Sequence, residues 1–248
     1  MKYLITIIFI FLVSIGLSVD NLKATETKAT LIHTYEADVT GDGQHEKIEL
    51  KGILFSPDTT FYRKVWASIT SNNQKWKINY NGGYDPSLQL IDLNHDTIKD
   101  IFYQSATGGS GGLYNYQLDT ITNDKISNIP LPEQTYLSGE FEDNFNVTIQ
   151  LTPSEKPIQI DVKNRADDYI RLGIYNKEGK LLETNKSVMI DPIAFFEPLL
   201  ISESKGYGLK SYQQISGAYH ADRLGTVETI WYFENGKWII LQTKWIPS

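Results

Sequence analysis

The sequence predicts an all-β protein, and three observations carry that expectation. From residue 29 onward, short segments alternate apolar with polar residues and are rich in Val, Ile, Thr, Tyr and Trp. Turn residues punctuate them, most clearly Asn176-Lys177-Glu178-Gly179 and Glu234-Asn235-Gly236. Helical character is confined to 193–204, where Pro192 and Pro198 limit it. The 248 residues, 41% hydrophobic and 12% aromatic, can bury a substantial core, which excludes a disordered chain.

Taken in order, residues 1–24 read as a signal peptide. Lys2 gives a positive start, and 4–17 is an apolar run of 14 residues, short for a membrane span and suited to a signal core. Leu22-Lys23-Ala24 offers cleavage after Ala24. With no cysteine in the chain, lipoprotein attachment, disulfides and thiol catalysis are excluded. The expected location is therefore secreted or cell-surface, in the manner of Gram-positive bacteria, with no membrane span after cleavage. Loss of Lys2, Asp20 and Lys23 takes the formal charge from −7 to −8. Such a chain repels nucleic acid and anionic lipid. It fits cation loading or plain solubility.

Strands are expected at 30–37, 46–55, 63–70, 75–80, 87–91, 99–105, 113–121 and 124–129, the part with an internal repeat. A β-rich C-terminal part, 129–248, continues with 134–141, 145–151, 156–163, 170–176, 180–184, 210–218, 225–233 and 237–246. Glu142-Asp143-Asn144 marks a hairpin turn in it.

Two acidic loops, starting 54 residues apart at Asp38 and Asp92, define the repeat. In the first, Asp38, Thr40, Asp42 and Glu46 occupy loop positions 1, 3, 5 and 9. In the second, Asp92, Asn94, Asp96 and Asp100 do so. Alternate side chains of a tight loop can converge, joined by the carbonyl at position 7, from Gln44 or Ile98. Hard oxygens in that number suit Ca²⁺, which takes about 6–8 of them. Scattered histidines and absent cysteines disfavour zinc. Residues 38–49 also approach an EF-hand loop, with Gly43 at position 6 and Glu49 at position 12. That motif needs flanking helices. Here β-branched and aromatic residues precede it, and Ile48 and Leu50 flank Glu49 with strand alternation. Without a metal, each loop is an ordinary polar turn.

At these residues the chain resembles a known family. D-x-T-G-D-G-x-x-E-x-I from Asp38 and D-x-N-x-D-x-x-x-D-I from Asp92 look like the loops of FG-GAP and VCBS-type repeats, found in integrin α-chain propellers and many secreted bacterial proteins. The resemblance covers roughly residues 30–125. It implies that Ca²⁺ is held by Asp38, Thr40, Asp42, Gln44 (carbonyl) and Glu46, and by Asp92, Asn94, Asp96, Ile98 (carbonyl) and Asp100. The second loop departs from the pattern, with His95 and Thr97 where Gly is usual. The implied architecture is a small β-propeller of about four or five four-stranded units. The alternative is two β domains, sandwich-like.

Other motifs point elsewhere. Gly108-Gly109-Ser110-Gly111-Gly112 spells G-x-S-x-G, but a strand rather than a helix is expected after it, so a loose hairpin is the better reading. Ser202-x-x-Lys205 lacks its partner motifs. His220 and Asp222 could do acid–base work or sit in a solvated hairpin loop. Trp231, Tyr232, Phe233, Trp238 and Trp245 form an aromatic hairpin that suits core packing or binding of sugars or peptides. No nucleophile sits in its required context, which favours binding over catalysis. The function expected is an exported calcium-binding module contacting an extracellular or cell-surface protein or polysaccharide. A secreted hydrolase acting on cell-wall or extracellular polymer and a structural spore or envelope component are the alternatives.

Mass spectrometry of exported protein is expected to give an N-terminus near Thr25. Intact Met1 in a membrane fraction contradicts signal cleavage.

Overall fold

The computed structural model describes residues 28–109 and 111–248. The signal segment, its cleavage point and Ser110 lie outside them. The described chain is all-β, with four antiparallel sheets in which each strand pairs with its sequence neighbour. The first sheet runs β1 (Thr30–Ala37), β2 (Glu46–Leu54), β3 (Tyr62–Thr70) and β4 (Lys75–Tyr80). The second runs β5 (Tyr84–Ile91), β6 (Asp100–Ala106), β7 (Tyr114–Thr122) and β8 (Lys125–Asn128). The third has β9 (Ser138–Glu142), β10 (Asn146–Gln150) and β11 (Ile158–Asp161). A single helical turn and a short helix, α1 (Ala166–Arg171), follow it. The fourth has β12 (Met189–Ser202), β13 (Gly206–Ser216), β14 (Arg223–Glu234) and β15 (Lys237–Pro247).

Turn chemistry sets these hairpins. Asn123-Asp124 and Asn235-Gly236 close two-residue loops with positive φ at both positions, the twist that matches paired strands. Asp143-Asn144-Phe145 joins β9 to β10, as the acidic turn expected there suggests.

The expected helix at 193–204 is instead strand β12. Proline opposes helix and is tolerated at a sheet edge, and β12 is an edge strand with a register shift around Pro192. The strand expected at 170–176 is instead the end of α1 and a turn. Asp167 and Asp168 lie in its first turn and Arg171 in its last, as the helix dipole favours. Residues 180–184 form no strand. The Asn176–Gly179 turn is closed by its own hydrogen bonds, with Asn176 Oδ1 accepting the Glu178 and Lys180 amides, and its flanks meet in an isolated bridge between Tyr175 and Leu181.

Three apolar cores hold the sheets together. Ile48, Leu50, Ala67 and Ile69 of the first sheet pack on Leu88, Ile101 and Tyr103 of the second. Phe102 and Leu118 of the second pack on Leu209 and Trp231 of the fourth. Phe141, Val147 and Ile149 of the third, with Tyr169 of α1, pack on Ile215 and Val227 of the fourth. The packing order is therefore first, second, fourth, third. Trp231 and Tyr232 are buried, the Trp231 indole donating to Ser211 Oγ at 2.8 Å, so this part of the terminal hairpin is core.

One polar knot ties α1 to the fourth sheet. Asp222 pairs with Arg165, accepts the Tyr169 hydroxyl at 2.7 Å and accepts the Ala218 amide at 2.8 Å. Burial and this carboxylate push the Tyr169 hydroxyl well above the usual phenol range, so it remains a donor at neutral pH. Asp222→Ala takes the acceptor from the Tyr169 hydroxyl and the Ala218 amide and leaves Arg165 only its Arg223 carbonyl and Ser248 hydroxyl partners, and is expected to cost about 3 kcal/mol. Tyr169→Phe loses one neutral donor and is expected to cost about 1 kcal/mol. Urea unfolding measures both. An unchanged midpoint in Asp222→Ala rules out a structural role for the knot.

Candidate functional site: the paired acidic loops and a neighbouring cleft

The first acidic loop joins β1 to β2, and the second joins β5 to β6. Their hydrogen bonds match position for position. Asp38 accepts Gly41 N at 2.7 Å and Gly43 N at 2.9 Å, and Asp92 accepts His95 N at 2.7 Å and Thr97 N at 3.0 Å. Asp42 accepts Gln44 N at 2.7 Å, and Asp96 accepts Ile98 N at 2.9 Å. Glu46 accepts Val39 N, and Asp100 accepts Leu93 N, each at 2.9 Å. Positive φ recurs at loop positions 4 and 6: Gly41 and Gly43, then His95 and Thr97. The internal repeat is thus one backbone template used twice.

Glu46 and Asp100 are completely buried at the start of β2 and β6. Among the described residues, neither has a lysine or arginine within ion-pairing distance. Burial pushes the Asp100 carboxyl up to about 6, opposed by the Leu93 and Asn94 amides and reinforced by Asp96. Around the first loop, Asp42, Gln44 and Glu46 line one side of a depression of about 230 Å³. Thr70, Ser71 and Asn72 lie among its other lining residues, and the Asn72 amide donates to Gln44 Oε1 at 2.7 Å.

The position-3 residues differ. Thr40 Oγ1 donates to Glu46 at 3.3 Å. Asn94 instead aims its amide nitrogen between two acids, at 3.0 Å from Asp96 and 3.1 Å from Asp100. Among the described residues, no three acidic or imidazole groups gather as they would around a bound metal. The carboxylates cap loop amides. The donor set is nonetheless all hard oxygen, and a carboxylate oxygen holding one N–H keeps a further lone pair. That chemistry suits calcium, but as placed the side chains cap loop amides and do not converge on one point. Glu49 is excluded from that set: it lies within β2 and pairs with Lys47 at 2.8 Å and Lys51 at 2.7 Å, which removes the EF-hand reading.

The second loop joins neighbouring elements. Its Ile98 fills the space that a Cβ at Gly41 would need, at 2.6 Å. His95 stacks on Tyr232 of the fourth sheet with centroids 4.4 Å apart.

A separate cleft of about 570 Å³ lies between the glycine-rich loop after β6 and the β13–β14 loop. His220 and Asp222 diverge here. The imidazole Nδ1 meets Asp191 Oδ1 at 2.7 Å, whereas Asp222 serves the α1 knot. The Ser202-x-x-Lys205 motif is a turn in which Ser202 Oγ accepts the Lys205 amide. A strand, β7, follows the glycine-rich loop, which removes the context of a nucleophile elbow. Sequence reading missed the Asp191–His220 and Arg165–Asp222 pairs, because their members are far apart in the chain.

Comparison with known proteins adds a relationship but no activity. Residues 135–246, covering the third and fourth sheets, match the YybI C-terminal domain. The uncharacterized protein YybI of Bacillus subtilis (strain 168) is 28% identical over 220 residues, spanning 84% of this chain and 81% of that protein. The solved rhamnogalacturonan lyases PL11 of Bacillus licheniformis and YesW are each 15% identical, with a TM-score of 0.36 over 88% of this chain. The chain spans about a third of their length, 34%.

The duplicated template generates opposite glycine predictions. Thr97 is exposed, β-branched and held at φ +75°. Thr97→Gly is expected to stabilise the fold by up to about 1 kcal/mol, strain relief outweighing the added freedom of the unfolded chain. Gly41→Ala is expected to destabilise by about 1–2 kcal/mol, through both φ +77° and the Ile98 clash. Thermal melts test the pair. Equal and opposite signs to these refute the template.

Proposed function

We propose that this chain is an exported calcium-binding β module, related in its loops to FG-GAP and VCBS-type repeats, that presents its surface to an extracellular or cell-surface protein or polysaccharide. The supporting observation is the duplicated loop that ends each time in a completely buried carboxylate, Glu46 or Asp100, with no ion-pair partner among the described residues. A buried carboxylate is costly unless compensated, and at Asp100 burial outweighs what the Leu93 and Asn94 amides return. A divalent ion outside it would complete the compensation and relieve repulsion from the flanking acids. Among the described residues no helix is long and apolar enough to cross a membrane.

In this reading the first and second sheets form a sandwich carrying both loops, and the third and fourth sheets form a second β unit. That follows the two-domain alternative: the first and second sheets share one core and the third and fourth another, and a further core joins the second sheet to the fourth. The first loop is the principal site. Its glycines at positions 4 and 6 adapt without strain, and Asp42 lines the adjoining depression beside Gln44 and Asn72, with the buried Glu46 carboxylate behind it. The second loop requires the Asn94 amide nitrogen to leave Asp96 and Asp100 first.

Calcium is expected to raise the melting temperature relative to EDTA. Binding to the folded state alone adds about 2.7 kcal/mol when free ion is about 100 times the dissociation constant. Extracellular sites often bind at about 10⁻⁴–10⁻³ M, so the rise at millimolar calcium is smaller. Asp42→Ala is expected to abolish most of the rise, and Asp96→Ala less of it. A wild-type midpoint indifferent to calcium, with no heat of binding by calorimetry, overturns the proposal.

A further inference from the structure

The cleft between the glycine-rich loop and the β13–β14 loop plays no part in the calcium reading, yet it has the composition of a ligand site. Leu113, Pro192, Ala194 and Ala221 give it apolar walls. Its charged and polar side chains are Asp191, Gln214, His220 and Arg223. About 570 Å³ lies within the common range for small-molecule pockets, about 300–1,000 Å³, which combine apolar walls with a few placed polar groups.

Each polar group has a defined state. Asp191 accepts His220 Nδ1 at 2.7 Å, which orients the ring and leaves Nε2 as its other polar atom. The Asp191 backbone carbonyl accepts the Gln213 amide at 2.7 Å, fixing the β12 bulge that carries Asp191. Gln214 spends its amide nitrogen on Ser216 Oγ and the His220 carbonyl, each at 2.8 Å. Arg223 donates one nitrogen to Thr226 Oγ1, and among the described residues no carboxylate pairs with it. The neighbouring acid, Asp222, is already taken by Arg165. The acids thus have partners, and the guanidinium is the charged group without one.

We propose that this cleft binds a small organic carboxylate with an apolar body. Arg223 holds the carboxylate through charge-assisted hydrogen bonds, the Asp191-oriented His220 supports it from the adjoining β13–β14 loop, and the apolar walls cover the remainder. No bond is made or broken.

The test is a titration of the purified chain with benzoate, followed through the His220 ring resonances by NMR. Benzamide, of the same shape without charge, and benzylammonium, of opposite charge, are controls. Benzoate is expected to give a saturable shift, with benzamide weaker by about tenfold, as for loss of a charge-assisted hydrogen bond. Arg223→Gln is expected to weaken benzoate by a similar factor while the melting temperature stays near wild type. Asp191→Asn frees the imidazole and is expected to broaden the His220 resonances and weaken binding less. The absence of a saturable shift with benzoate overturns the proposal, as do equal affinities for benzoate and benzamide or an Arg223→Gln variant that binds like wild type. All of these measurements are made on protein stripped of calcium and dialysed free of chelator, so the calcium reading can fail or hold independently.

Discussion

Adjacent residues of β6 face two different cores. Ile101 and Tyr103 lie under the first sheet, while Phe102 lies under the fourth, and all three are almost completely buried. Strand alternation requires this once both faces of a sheet are covered, and the resulting sequence, Ile101-Phe102-Tyr103, is an unbroken apolar run. A register slip of one residue in β6 would exchange the two cores at once, so its position is fixed more tightly than that of any strand with a solvated face. Asp100, at the start of this strand, inherits that fixity. Its burial follows from where β6 must sit.

The acidic loops gain their structural meaning from that placement. The second loop leads directly into β6, stacks His95 on Tyr232 of the fourth sheet, and supports the first loop through Ile98 against Gly41. A change at either loop is therefore felt between sheets as well as within a turn. His95 illustrates the compromise. It occupies a position where glycine would relax the backbone, and it contributes an aromatic contact that glycine could not make.

Much of the all-β architecture was legible because alternation and turn residues act locally. Asn235-Gly236 specifies its own hairpin, and the two loops declare their kinship through matched acids. The misread segments are those where tertiary context overrides a local signal. The stretch 193–204 has helix-like spacing, but its prolines suit the edge strand that β12 becomes. Residues 166–171 turn helical where a strand was expected nearby, and Tyr169 is drawn under Asp222, a partner 53 residues away. The division of labour between His220 and Asp222 was equally hidden, because two residues apart in a loop they face opposite partners, Asp191 and Arg165. No spacing rule encodes such a choice. It is made when the third and fourth sheets meet.

The fourth sheet shows how one surface can serve two cores. Leu209 and Trp231 lie toward one end of its inner face, and Ile215 and Val227 toward the other. Between them, on the same face by strand alternation, stand the buried polar residues Ser211, Gln213 and Thr229. Ser211 accepts the Trp231 indole, and Gln213 donates to the Asp191 carbonyl. An uninterrupted apolar face would let the third sheet slide toward the second, since hydrophobic contact is not directional. Placing hydrogen-bonding groups at the junction makes such sliding strand them without partners, at a cost of about 1–3 kcal/mol each. The polar belt thus sets where one core ends and the next begins. Through Gln213 it also holds the β12 bulge from which Asp191 orients His220.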